Sequence, residues 1–264
     1  MYREHFGLTQ DPLGKQSRAL FDTEPLRLLK QRFDWLLEHP GVGLLTGPPG
    51  VGKTAALRQL THPLNPHRYE VIYLAETDFG RLDLYRSLAL ALGLEPPHRR
   101  AALWREIKAR LRDMAEQKHL LPLWIIDEAQ NLPNEFFRDL PAFINFVFDS
   151  QDLMTLWLVG HPNLAQTLQR APYEALASRL QCHIQLPPID DPEQFAALVR
   201  YGLQQAGVQQ QLISDSGLHL LLMASRGRPR TTSQILCTAM KLAVPKGLNH
   251  LPDDLLQEAI EALR

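Results

Sequence analysis

The sequence predicts an α/β fold: a five-stranded parallel sheet followed by a small all-helical C-terminal unit, in a chain of 264 residues. Three observations carry this. Five short apolar runs alternate with helical patterns between residues 42 and 186, as strands buried on both faces of a parallel sheet do. A glycine-rich turn stands directly between the first run and the next helix. After "LPPIDDPEQF" only helical patterns remain. The expected division is a core over residues 1–189, with an N-terminal segment, and a helical lid over 190–264.

Each element has its own signal. Leu26, Leu29, Phe33 and Leu36 recur at helical spacing, which predicts an amphipathic helix over 24–38. The strands are "VGLLT" (42–46), "EVIYLA" (70–75), "LPLWII" (121–126), "MTLWLVG" (154–160) and "CHIQL" (182–186). Helices are expected between them at 53–60, 81–92, 101–118 and 135–148. Pro122 fits only as the first residue of its strand, because it brings no N–H to a ladder. Asp191-Pro192 reads as a helix start, and the patterns at 192–206, 215–224, 229–243 and 252–263 complete the lid.

Composition narrows the class. Hydrophobic residues at 45% and charged residues at 22% describe a folded domain and exclude a disordered one. The net charge of −1 means that any affinity for a polyanion must come from a local patch. Cys182 and Cys237 stand in no ligand-like or redox-like spacing, which argues against zinc and against a disulfide framework. The sequence shows no charged-then-apolar leader and no apolar run near the length of a membrane span, so a cytoplasmic protein without membrane contact is expected.

"GPPGVGKT" (47–54) carries the chemistry. Gly47, Gly50 and Gly52 let the backbone curl so that its N–H groups face a phosphate, with Pro48, Pro49 and Val51 completing the loop. The helix that opens at Lys53, Thr54 and Ala55 adds its positive N-terminal end. Lys53 can reach β- and γ-phosphates and the Thr54 hydroxyl can ligate Mg²⁺, so ATP and Mg²⁺ are the expected ligands. "LWIIDEAQ" (123–130) ends a strand in Asp127, a second Mg²⁺ ligand expected beside the loop, and Glu128, a general base for water. His161, at the tip of the strand next to Asp127-Glu128, is placed to sense the γ-phosphate; a strand-end histidine bonded to a carbonyl is the plainer alternative. In "SRGRPRTT" (225–232), Gly227-x-x-Arg230 opens a lid helix, and Arg230 is expected at the γ-phosphate. Arg226 and Arg228 read as solvated. Arg179, just before the last strand, falls outside the pocket of its own chain and is expected to reach a neighbour's nucleotide.

These motifs together resemble the AAA+ pattern, a P-loop core with a helical lid, and more narrowly the ExeA-type family, the ATPase module of general secretion pathway protein A and its transposon-encoded relatives. The residues are "MYREHFGLTQDPL", "GPPGVGKT", "IIDEAQNL", "NF" at 145–146, "LVGHPNL", "ASRL" and "RGRPRTTSQIL". The resemblance implies that the opening aromatic segment, with Tyr2 and Phe6, leads into an adenine pocket. Two positions depart from it: His161 stands where the family usually has Gln, and His183 where a second arginine often follows Arg179. The secretion-type proteins continue into a membrane helix and a peptidoglycan-binding domain, which this sequence does not show. It is therefore more similar to transposition helper ATPases of the TniB, TnsC and Mu B kind.

The resemblance thus implies an ATP-dependent DNA-binding regulator of transposition. Such a protein would assemble on double-stranded DNA as a ring or filament of identical subunits, and recruit or activate a transposase. A secretion-assembly ATPase and a replication-initiator-like loader are the alternatives. Arg99, Arg100, Arg105, Lys108 and Arg112 in "EPPHRRAALWREIKARLR" (95–112) are the candidate DNA contacts, on phosphates and indifferent to sequence. The same spacing serves a solvated helix face, partly paired with Glu106 and Asp113, at least as well.

Overall fold

A computed structural model describes residues 2–17, 19–77 and 80–263. Its contacts divide into two compact units. One comprises residues 24–47 and 60–186; the other gathers residues up to 23, 48–59 and 187 onward. The last break along the chain falls between residues 186 and 187. The N-terminal segment and the glycine-rich loop, by contrast, group with the C-terminal helices.

The first unit holds a five-stranded, all-parallel sheet in the order β2-β3-β4-β1-β5. The strands are β1 (Val42–Thr46), β2 (Tyr69–Leu74), β3 (Leu121–Ile126), β4 (Thr155–Gly160) and β5 (Leu180–Gln185). Every residue of β1 and β4 is buried, and so is β3 after its first residue, as central strands covered on both faces require. Expected burial on both faces does not extend to the edges: β2 and β5 carry exposed residues along their length. Pro122 is the second residue of β3, not the first. The Leu121 N–H donates toward β2, to Arg68 O, so Pro122 faces the β4 side, where pairing begins only at Leu123↔Thr155. Its missing donor therefore costs no ladder bond.

Helices of this unit include α2 (Glu24–Glu38), α4 (Arg81–Ala91), α5 (Arg100–Glu116) and α6 (Asn134–Phe143); the short α1 (Tyr2–His5) and most of the loop helix α3 (Lys53–Thr61) belong to the other. Trp124, Tyr85, Phe136 and Phe143 form the centre of its core, all fully buried. The helix expected to run to residue 148 stops at Phe143. The Asn145 side chain accepts from the Asp149 N–H, and Val147, Phe148 and Asp149 all take positive φ, so the chain turns there. Two short helices lacked a sequence signal, α7 (Pro162–Leu168) and α8 (Glu174–Ala177).

In the second unit α9 (Pro192–Gln205), α10 (Asp215–Ser225), α11 (Pro229–Ala243) and α12 (Asp253–Glu261) are the expected C-terminal helices, packed around Phe195, Leu221, Leu236 and Met240. Asp191 caps α9 by accepting from the Gln194 N–H at 2.7 Å, and Ser214 caps α10 through the Gly217 N–H. Phe6 and Leu8 of the N-terminal segment are buried in this same core.

Candidate functional site

Strand β1 ends at Thr46 and the glycine loop follows at once. The Gly47 N–H donates to Gly160 O, the last residue of β4, at 3.1 Å. Gly50 and Gly52 stand at φ +83° and +105°, where a side chain is strained. An added Cβ at Gly52 would meet nothing within 4 Å, so the loop keeps an open face beside the first turn of α3. The loop runs directly into the N-terminus of α3, the end of a helix whose dipole favours anions. Lys53 is buried, and its Nζ donates to Pro48 O at 3.2 Å, folded back across the loop. These features fit a polyphosphate.

The arginine turn joins this loop. After α10, Arg226 and Gly227 take left-handed backbone, Pro229 opens α11, and the Arg230 N–H donates to Gly50 O at 3.2 Å. Gly227 O accepts from the Ile189 N–H at 3.0 Å, which anchors the turn from the other side. Arg226 and Arg230 are exposed. Arg228, expected to be solvated, is half-buried with its Nε enclosed and unbonded.

On the sheet, register places the acidic pair. Ile126 pairs with Leu158, while Val159 and Gly160 pair with Leu45 and Thr46, so Asp127 and Glu128 continue β3 level with the tips of β4 and β1. Strand β4 lies next to β3, as expected for His161, and it separates β3 from β1, so the acidic strand is not the direct neighbour of the strand that leads into the loop. The buried Asp127 accepts from the Tyr73 hydroxyl at 2.9 Å and from the Glu128 N–H at 2.9 Å. Glu128 sits at φ 52°, and its carbonyl accepts from the Thr77 hydroxyl. Its Oε2 accepts from Gln130 Nε2 at 2.7 Å and lies 3.6 Å from His161 Nε2. Gln130, Tyr73 and Thr77 were not among the sequence-derived site residues. Gln130 was visible two positions after Glu128 in "DEAQ", whereas Tyr73 and Thr77 carried no signal of their own.

Other candidates sit elsewhere. Leu180 pairs with Val42 at the start of β1, so Arg179 lies at the edge of the sheet opposite the acidic pair. There it donates to Asp149 of its own chain at 2.7 Å. His183 faces Thr46, with Nε2 2.8 Å from its hydroxyl, and burial holds its pKa below 6.5. Tyr2 donates to Asp11 at 2.6 Å, and burial and that contact push its pKa up to about 12. With Phe6 in the helical core, both aromatics of the opening segment have packing roles within the second unit.

Along α5 the five basic candidates separate. Arg100 pairs with Asp139 at 2.6 Å and stacks over Trp104. Lys108 donates to Ala142 O and Asn145 O, and burial lowers its pKa. Arg112 stands 3.9 Å from Glu116. Arg99 and Arg105 are exposed, with no ion pair or side-chain hydrogen bond shown among the described residues. No helix among the described residues is long and apolar enough to cross a membrane.

Comparison with known proteins agrees with this geometry. General secretion pathway protein A of Aeromonas hydrophila is 28% identical over 255 residues, 94% of this chain and 46% of that protein, so the chain spans about half the length of the relative it matches. Among solved structures, the Aeropyrum pernix ORC2 protein in ADPNP-ADP complexes superposes with a TM-score of 0.70 at 16% identity, covering 98% of this chain and 71% of that one. The Aeropyrum pernix ORC1 protein in complex with DNA gives 0.69 at 17% identity, covering 95% and 68%. Residues 36–168 match the family described as AAA domain, and the chain belongs to that family.

Proposed function

We propose that this protein is an Mg²⁺-dependent ATPase that assembles on double-stranded DNA and regulates transposition by recruiting or activating a transposase. The observation that carries the first part is the glycine loop, open at Gly52 and backed by a buried Lys53, together with the Glu128 carboxylate bonded to Gln130 near His161. Gly47 to Ala55 would bind the phosphates, and Thr54 and Asp127 would supply oxygen ligands for Mg²⁺, a hard cation that takes such donors and neutralises phosphate charge. Glu128 accepts a proton from water as the water oxygen bonds to the γ-phosphorus and the bond to the ADP oxygen breaks. His161 contacts the γ-phosphate group, and Arg230, whose turn is bonded to the loop, binds it from the lid.

Arg179 serves a neighbouring subunit, in a head-to-tail ring or filament. Its place at the sheet edge opposite Glu128 supports this, since it stands away from the acidic pair of its own chain. The likeness to the A. pernix ORC1 protein in complex with DNA supports DNA as the partner, and the exposed Arg99 and Arg105 would contact its phosphates. The relative from the general secretion pathway favours a second reading, a secretion-assembly ATPase.

One set of measurements tests these readings. ATPase activity should rise with protein concentration and with duplex DNA, and Lys53→Ala and Glu128→Gln should abolish it. Mixing Arg179→Ala with Glu128→Gln should restore part of it, because one variant keeps the base and the other the arginine. An ATPase indifferent to DNA favours the secretion reading, and full activity in a dilute monomer overturns the shared site.

A further inference from the structure

Gln130 lies in the turn that follows the acidic pair. Because Glu128 adopts left-handed backbone, the 3₁₀ turn Ala129–Asn131 brings the Gln130 side chain back toward the Glu128 carboxylate. Its Nε2 donates to Glu128 Oε2 at 2.7 Å, and its Oε1 accepts from the His161 N–H at 3.0 Å. The orientation of the amide follows from its partners: a carboxylate only accepts and a main-chain N–H only donates. His161 Nε2, 3.6 Å from the same Oε2, closes a circuit from base to strand tip and back. Gly160 is part of the fit, since a Cβ there would stand 2.5 Å from Gln130 Oε1 and 2.9 Å from Leu164 Cδ2.

A primary amide suits this place for a chemical reason. It carries a donor and an acceptor on one rigid plane, so it can hold a carboxylate and an N–H together. A glutamate there could not donate, and a lysine could not accept. We propose that Gln130 is the positioning residue of the reaction: by holding Oε2 of Glu128 it aims Oε1 at the attacking water. It also ties that aim to the tip of β4, so that a shift of His161 moves the base. The inference rests on the reading of Glu128 as general base.

The test uses the full chain as Gln130→Ala and as the isosteric Gln130→Glu. Readouts are binding of a fluorescent ATP analogue, kcat, KM and the pH profile of kcat. Gln130→Ala should lower kcat by about tenfold or more while nucleotide affinity and KM stay within about twofold, since orientation and not binding is lost. Gln130→Glu sets two carboxylates in contact, and the acid limb of its kcat profile should move up by about one pH unit. The inference is overturned if kcat of Gln130→Ala stays within twofold or rises, if affinity falls in step with kcat, or if the Gln130→Glu profile stays in place. Glu128→Gln separates the two readings. If it still hydrolyses ATP, the base assignment fails; if it is inactive while Gln130→Ala matches wild type, only the positioning role fails.

Discussion

The main-chain N–H of Arg230 donates to the carbonyl of Gly50 at 3.2 Å, so the arginine turn and the glycine loop form one hydrogen-bonded structure. Gly50 is at φ +83°, and an added Cβ would lie 3.1 Å from the Arg230 Cβ. Gly50→Ala should destabilise the protein by about 1–2 kcal/mol through the left-handed backbone alone, and should weaken ATP binding as the loop and the turn adjust. Urea denaturation and nucleotide titration measure the two effects; wild-type values in both would break the link.

Gly227 presents a harder constraint. It also has left-handed backbone, at φ +66°, and an added Cβ would run into the main chain of Ile189, which cannot swing aside. Gly227→Ala should therefore cost more than Gly50→Ala, on the order of 3 kcal/mol or above. A thermal midpoint less depressed than that of Gly50→Ala would contradict this order.

His183 makes stability depend on pH. Burial holds its folded pKa below 6.5, so between the folded and unfolded values the unfolded chain binds the proton more readily. Its contribution is complete above about pH 6.5 and is lost as the pH falls toward the folded value. His183→Gln should flatten the stability profile on that acid side. An unaltered profile would mean that other groups govern it.

Helix α5 separates structural from binding cations. Lys108, bonded to two carbonyls at the end of α6 and beyond, should cost about 1.5–3 kcal/mol of stability when replaced by Met, with DNA affinity unchanged. The double variant Arg99→Glu, Arg105→Glu should instead leave stability near wild type, weaken DNA binding, and reduce the log–log salt slope by about two. Measuring both properties on both variants gives the assignment, and loss of DNA affinity with Lys108→Met would reverse it.

Local sequence was enough for features whose cause is local. Apolar runs with turn residues between them marked five strands, and for the central three, β1, β3 and β4, the cause is that a segment buried on both faces must be apolar throughout. Gly50 and Gly52 announced positions where the backbone must curl, and both take left-handed φ. Pro229 marked the start of α11 because its φ suits a first helical turn.

Tertiary structure decided what depends on which distant segments meet. Strand order is one case: every apolar run reads alike, yet β4 enters between β1 and β3, and only the sheet reveals β2 and β5 as half-exposed edges. Phe6 is another, since an apolar ring packs wherever the fold brings a core, here among the lid helices. Basic residues of α5 that read alike in sequence diverge because Asp139 and the carbonyls of Ala142 and Asn145 arrive at Arg100 and Lys108 and not at Arg105. The bond from Gln130 to the His161 N–H joins residues 31 positions apart. Hydrogen-bond partners of that kind are chosen by register and crossing, which periodicity along one segment does not encode.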